Sequence, residues 1–82
     1  MRAVTQIPHP DIRIMIFTWN GKYLLEMEAG SFKQTFKIPE EAVNGVDDLK
    51  TIVDQEFIDE ALERFRGMMA SLRSKMTKLQ NQ

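Results

Sequence analysis

The chain has no cysteine, one histidine, three prolines and four glycines in 82 residues, with one tryptophan and one tyrosine. Without thiols neither a disulfide framework nor a thiolate metal site can form, and a single imidazole is too few for the usual histidine sites. The glycines, Gly21, Gly30, Gly45 and Gly67, are scattered. That excludes a phosphate-cradling loop, and Gly30-Ser31 lacks the spacing of a nucleophile elbow. No apolar run approaches the ~20 residues needed to cross a bilayer, and residues 1–10 contain no apolar region of signal-peptide length. The expectation is a cytoplasmic protein without membrane contact. A net charge of −1 argues against a wholesale nucleic-acid binder, although an average can conceal segregated charge.

What is present is a change of period. Pro8 and Pro10 push their preceding residues toward extended backbone, so residues 1–10 read as an extended, proline-containing arm. From Asp11 the sequence DIRIMIFTW alternates, with Ile12, Ile14 and Ile16 on one side and Arg13, Met15, Phe17 and Trp19 on the other. Asn20-Gly21 is the strongest short-range hairpin signal, because a type I′ turn requires positive φ at both central positions. That turn pairs Trp19 with Lys22, Phe17 with Leu24, Ile16 with Leu25, Ile14 with Met27 and Arg13 with Glu28. A second two-residue turn at Gly30-Ser31 pairs Ala29 with Phe32, Glu28 with Lys33, Leu25 with Phe36 and Tyr23 with Ile38.

Registers set by the turns alone sort the side chains into two faces of different chemistry, a test that a slipped register fails. One face collects Ile12, Ile14, Ile16, Tyr23, Leu25, Met27, Phe32, Phe36 and Ile38, with Gln34 as its main polar intruder. This is the core face. The other carries the alternating row Arg13, Glu28, Lys33 together with Glu26, Thr35 and Lys37, but also Met15, Phe17, Leu24 and Trp19. The arm, with Ile7 as its plug, or a neighbouring subunit is expected to cover those apolar side chains.

Pro39 ends the third strand, and Asn44-Gly45 supplies a turn before a helix start at Asp47 or Asp48. Asp54 is a second candidate cap, giving either one long helix or a short turn followed by a helix over about residues 55–79. Ile58, Leu62, Phe65, Met69, Leu72, Met76 and Leu79 recur at four-three spacing, the pattern of a coiled-coil seam. A 25-residue helix spans roughly 38 Å, whereas an eight-residue strand spans roughly 27 Å. The sheet therefore cannot cover the whole helix, and Leu72, Met76 and Leu79 overhang it. Gly67, which disfavours helix by ~1 kcal/mol relative to alanine, marks a place where the helix could bend.

Charge divides along the same segment. Glu40, Glu41, Asp47, Asp48, Asp54, Glu56, Asp59 and Glu60 are opposed only by Lys50, whereas Arg64, Arg66, Arg73, Lys75 and Lys78 follow with no acid between 64 and 78. The helix macrodipole accounts for the ends of this gradient but not for its middle. An antiparallel pair of such helices would set acid against base, so a homodimer through Phe65, Met69, Leu72, Met76 and Leu79 is expected.

Catalytic signals are absent. His9 lies between two prolines with no partner, and Glu56, Asp59, Glu60 and Glu63 lack the Glu-x-x-His unit of a carboxylate metal helix. No metal, cofactor or enzymatic activity is expected. The reading is an α+β domain: a three-stranded antiparallel meander over residues 11–38 packed on a long C-terminal helix, with 11–80 one domain and 66–80 its oligomerisation segment. The leading function is a non-enzymatic interaction module that homodimerises and recruits a protein partner through Phe17, Trp19, Leu24 and Lys37. The alternative is a nucleic-acid-binding dimer, in which aromatics stack on bases while Arg64, Arg66, Arg73, Lys75 and Lys78 meet phosphates. Glu26 and Glu28, on the same face as the aromatics, count against it.

Overall fold

The computed structural model describes residues 1–80. Four strands, β1 (Arg2–Ile7), β2 (Arg13–Trp19), β3 (Lys22–Ala29) and β4 (Phe32–Pro39), form one antiparallel meander in the order β1-β2-β3-β4. A 3₁₀ turn at Glu40–Ala42 leads to α1 (Val46–Ile52) and then α2 (Gln55–Gln80). The fold is α+β, a meander packed on a long C-terminal helix.

The two central registers follow from the turns. Asn20 and Gly21 both have positive φ, 50° and 73°, as the type I′ geometry demands, and Gly30 has φ 59°. Trp19 pairs with Lys22, Phe17 with Leu24 and Ile14 with Met27; Ala29 pairs with Phe32, Glu28 with Lys33 and Leu25 with Phe36. These match the pairings expected from the hairpin turns.

The sheet has four strands where three were expected, because the arm forms its first strand. Residues 2–7 are extended but lie beside β2, not over the sheet. The pairing passes from Ala3 opposite Phe17 directly to Thr5 opposite Ile16, leaving Val4 as an extra, bulged residue. A bulge resets the two-residue alternation, which hides a six-residue strand from a periodicity reading. Beyond the bulge Ile7 pairs with Ile14 and packs against the core. Ile7 is therefore on the opposite face from the one it was expected to plug. Pro8 and Pro10 fall in the β1–β2 connection, where the Asp11 N–H donates to His9 Nδ1 at 3.1 Å.

The helices lie against the core face. Ile14, Ile16, Leu25, Met27 and Leu49 are at most 1% exposed and join Ile12, Val53, Ile58, Ala61 and Phe65 in one cluster. Burial of each large side chain contributes about 1.5–3 kcal/mol. The helical segment breaks at 53–54, and Asp54 caps the second start by accepting the Phe57 N–H at 2.8 Å. Helix α2 then continues unbroken through Gly67.

Helix α2 runs back along β4. Phe57 meets Phe36 with ring centroids 5.4 Å apart, and one turn later Gln34 Nε2 donates to the Ala61 carbonyl at 2.9 Å. Arg64 Nε donates to Gln34 Oε1 at 2.7 Å. Gln34, the polar intruder on the core face, is thus a clamp between sheet and helix, satisfied at both ends of its amide. The helix outruns the sheet: the molecule measures 52 × 27 × 18 Å, and every residue from Met69 to Gln80 is exposed.

Candidate functional site

Two surfaces collect the residues singled out from the sequence, one on the helix side of the sheet and one on the sheet face turned away from the helices. The first is the overhang of α2. Its apolar stripe continues the face that packs on the sheet, since Met76 follows Ile58, and Leu79 follows Ala61, by about five helical turns. The sheet ends before they arrive. Met69, Leu72 and Met76 are 48–49% exposed and Leu79 is 69% exposed. Phe65, grouped with them by spacing, is 5% exposed and belongs to the chain's own core. Met68, outside the four-three pattern, packs against that core as well.

Where the stripe leaves the sheet, a groove of about 340 Å³ opens between α2 and the β3–β4 turn, lined by Ser31, Phe32, Met69, Leu72, Arg73, Met76, Thr77 and Gln80. Phe32, on the core face by its register, also lines this groove. The antiparallel run of α2 along β4 brings the start of that strand beside Leu72 and Met76. A sequence separation of about 40 residues leaves no local signal for such a meeting.

The five basic residues of this segment do not act alike. Arg64 is held by Gln34 and lies over the Phe36 ring, 5.8 Å from its centroid. Arg66 pairs with Glu63 at 2.8 Å. Arg73, Lys75 and Lys78 make no ion pair among the described residues. Arg73 and Lys75 flank the apolar stripe on its two sides, and Lys78 lies on the opposite side of the helix from Met76.

The second surface is the sheet face turned away from the helices. Trp19 is 50% exposed, so β1 does not cover it. Phe17 is half-buried, Lys37 is exposed, and Leu24 is 6% exposed although no helix covers this face. At the far end of the same face a hollow of about 300 Å³ is lined by Met1, Arg13, Met15, Phe17, Glu26, Glu28 and Lys33. Its charges are balanced: Lys33 lies 3.5 Å from Glu26, and Arg13, Glu28 and Lys33 form one cross-strand row. The bare aromatic and the hollow are therefore separate features.

Among the described residues no cluster of histidine and carboxylate side chains is placed to hold a metal ion, and no helix is long and apolar enough to cross a membrane. His9 serves as a turn acceptor. Comparison with protein-family models, with curated proteins and with solved structures finds no match.

Proposed function

We propose that this chain is a non-enzymatic interaction module that self-associates through the overhang of α2 and presents the Trp19 end of its sheet to a protein partner. The observation that carries the reading is the stripe of Met69, Leu72, Met76 and Leu79, each about half exposed or more on a continuous helix. Four large apolar side chains in a line, three of which, Met69, Leu72 and Met76, line a groove together with Phe32, form the kind of contiguous patch that soluble monomers rarely leave bare. An 82-residue chain gains more from added burial than a larger one.

Light scattering on the wild type and on Leu72→Glu tests this. The wild type should show twice the chain mass at high micromolar concentration, and Leu72→Glu, which buries a charge at the seam, should remain a monomer with unchanged circular dichroism. A monomeric wild type at that concentration would remove the reading.

Nucleic-acid binding is the second reading, favoured by the uncompensated charges of Arg73, Lys75 and Lys78 and by the bare Trp19 ring. Titration with labelled single- and double-stranded oligonucleotides at low salt decides it, because the phosphate contribution is largest there.

A further inference from the structure

We infer that the Trp19 end of the outer sheet face binds a short, extended, acidic peptide segment, whose carboxylates at two positions two residues apart meet Lys22 and Lys37 while an apolar side chain rests on the Trp19 ring. This rests on the partner recruitment proposed above for that end of the sheet and names the partner's chemistry.

The strand registers build the patch from two cross-strand rows. Trp19, Lys22 and Pro39 stand side by side in one row, and Ala3, Phe17, Leu24 and Lys37 in the next. Neither row contains an acid. Trp19, Lys22 and Lys37 are exposed, and half-buried Phe17 with buried Leu24 forms an apolar floor between them.

The two lysines have no partner within the chain to spend their charge on. Glu26 lies diagonally between Lys37 and Lys33 across β3 and β4, and its carboxylate is engaged by Lys33 at 3.5 Å. Glu28 stands one row further on, between Arg13 and Lys33. Glu40 and Glu41 follow Pro39, yet among the described residues neither Lys22 nor Lys37 forms an ion pair. The far end of the face is therefore balanced internally, whereas the Trp19 end presents positive charge that only an acidic partner complements.

Spacing and size select the form of that partner. Lys22 and Lys37 are diagonal neighbours, with an expected separation of about 7–8 Å. Side chains two residues apart on one face of an extended chain are about 7 Å apart. Two acids in that relation match the two lysines. Three strands and two rows span about 10 by 7 Å, far short of the roughly 800 Å² that a standard interface buries on each partner. Such a patch holds a short segment and not the surface of a folded domain. A nucleic-acid strand also seeks rings and cations, but it stacks on successive bare rings. Here Phe17 is half-buried, and the rows beyond it would bring Glu26 and Glu28 under the phosphates.

The sole tryptophan is the reporter. A display library of random octapeptides is selected on the full chain, and the enriched peptides are synthesised with blocked termini. Binding is read from Trp19 emission at about 0.05 and 0.5 M NaCl, with oligothymidylate titrated alongside; labelled peptides give the affinities of Trp19→Ala and of the double variant Lys22→Gln/Lys37→Gln. The enriched peptides should carry two acids two residues apart beside an aromatic or aliphatic residue, and should shift Trp19 emission to the blue. They should bind at least about threefold more weakly to the double lysine variant and at the higher salt, and at least about tenfold more weakly to Trp19→Ala.

Selected peptides that shift Trp19 emission without an acidic pair overturn the inference and leave partner recruitment through this face standing. Oligothymidylate that binds more tightly than any selected peptide assigns the face to single-stranded nucleic acid, and a selection that yields no peptide dependent on Trp19 leaves the proposed segment without a seat; each overturns the inference. Emission that is already blue-shifted and protected from acrylamide in the chain alone removes the recruiting role beneath it as well, because the face is then covered by a second copy.

Discussion

Substituting Gly67 by alanine should stabilise the protein, and the amount can be worked out in advance. Gly67 lies nine residues after Ile58, two and a half helical turns, and so faces directly away from the sheet. A Cβ built there meets nothing within 4 Å, and the backbone is not in the left-handed region. No packing or strain offsets the change. The gain reduces to helix propensity, about 0.8–1.0 kcal/mol, realised largely by restricting the unfolded chain. For a domain of this size that shifts Tm upward by about 4–8 °C, and with a urea m-value near 1 kcal/mol/M the midpoint rises by about 1 M. Thermal and urea denaturation followed at 222 nm, at two protein concentrations to separate any contribution from association, provide the measurement. A lower Tm would refute the solvent-facing assignment. Added ellipticity without a change in midpoint would refute the inference that the distal half of α2 unfolds cooperatively with the sheet.

Three further outcomes are expected. Asp54→Ala removes the acceptor for the Phe57 N–H and should cost about 0.5–2 kcal/mol in chemical denaturation, whereas Asp54→Asn should retain most of the stability; equal stability of Ala and wild type would contradict the cap. Ile14→Ala empties a site with 0% exposure and should cost about 2–5 kcal/mol, a large part of the margin of an 82-residue domain, so its urea transition should be lost or displaced far to low denaturant. Trp19 is the sole tryptophan and is half exposed; its fluorescence should be red-shifted and readily quenched by acrylamide, and a blue-shifted, protected signal would mean that a second copy covers this face in solution.

The meander's central part was legible because its determinants are local. Asn20-Gly21 and Gly30-Ser31 each admit few backbone conformations, and a two-residue turn transmits its register to every pair along the hairpin. Asp54 was legible for the same reason: a cap acts on an N–H three residues away. The α2 overhang followed from arithmetic, since helix and strand rise per residue are constants of the backbone.

Strand β1 escaped because its signal is split by the bulge at Val4 and because the prolines beside it read as an arm. Only the sheet decides that an extended segment pairs, since a strand's backbone bonds are made to another part of the chain and leave no trace in its own composition. The same holds for the candidate site. Residue spacing placed Phe65 with Met69, Leu72, Met76 and Leu79 on one stripe, which is a property of helical geometry alone. Which of them are consumed by the core and which stay bare depends on where the sheet stops under the helix, and the partnership of Phe32 with Leu72 and Met76 depends on α2 running back along β4. Sequence by itself determined the two hairpin turns, the Asp54 cap and the faces of β2, β3, β4 and α2, while α1 starts at Val46 after Gly45 without the side-chain cap expected at Asp47 or Asp48; the tertiary structure decided which faces meet, because packing across about 40 residues is governed by chain direction and element length together and not by any local preference.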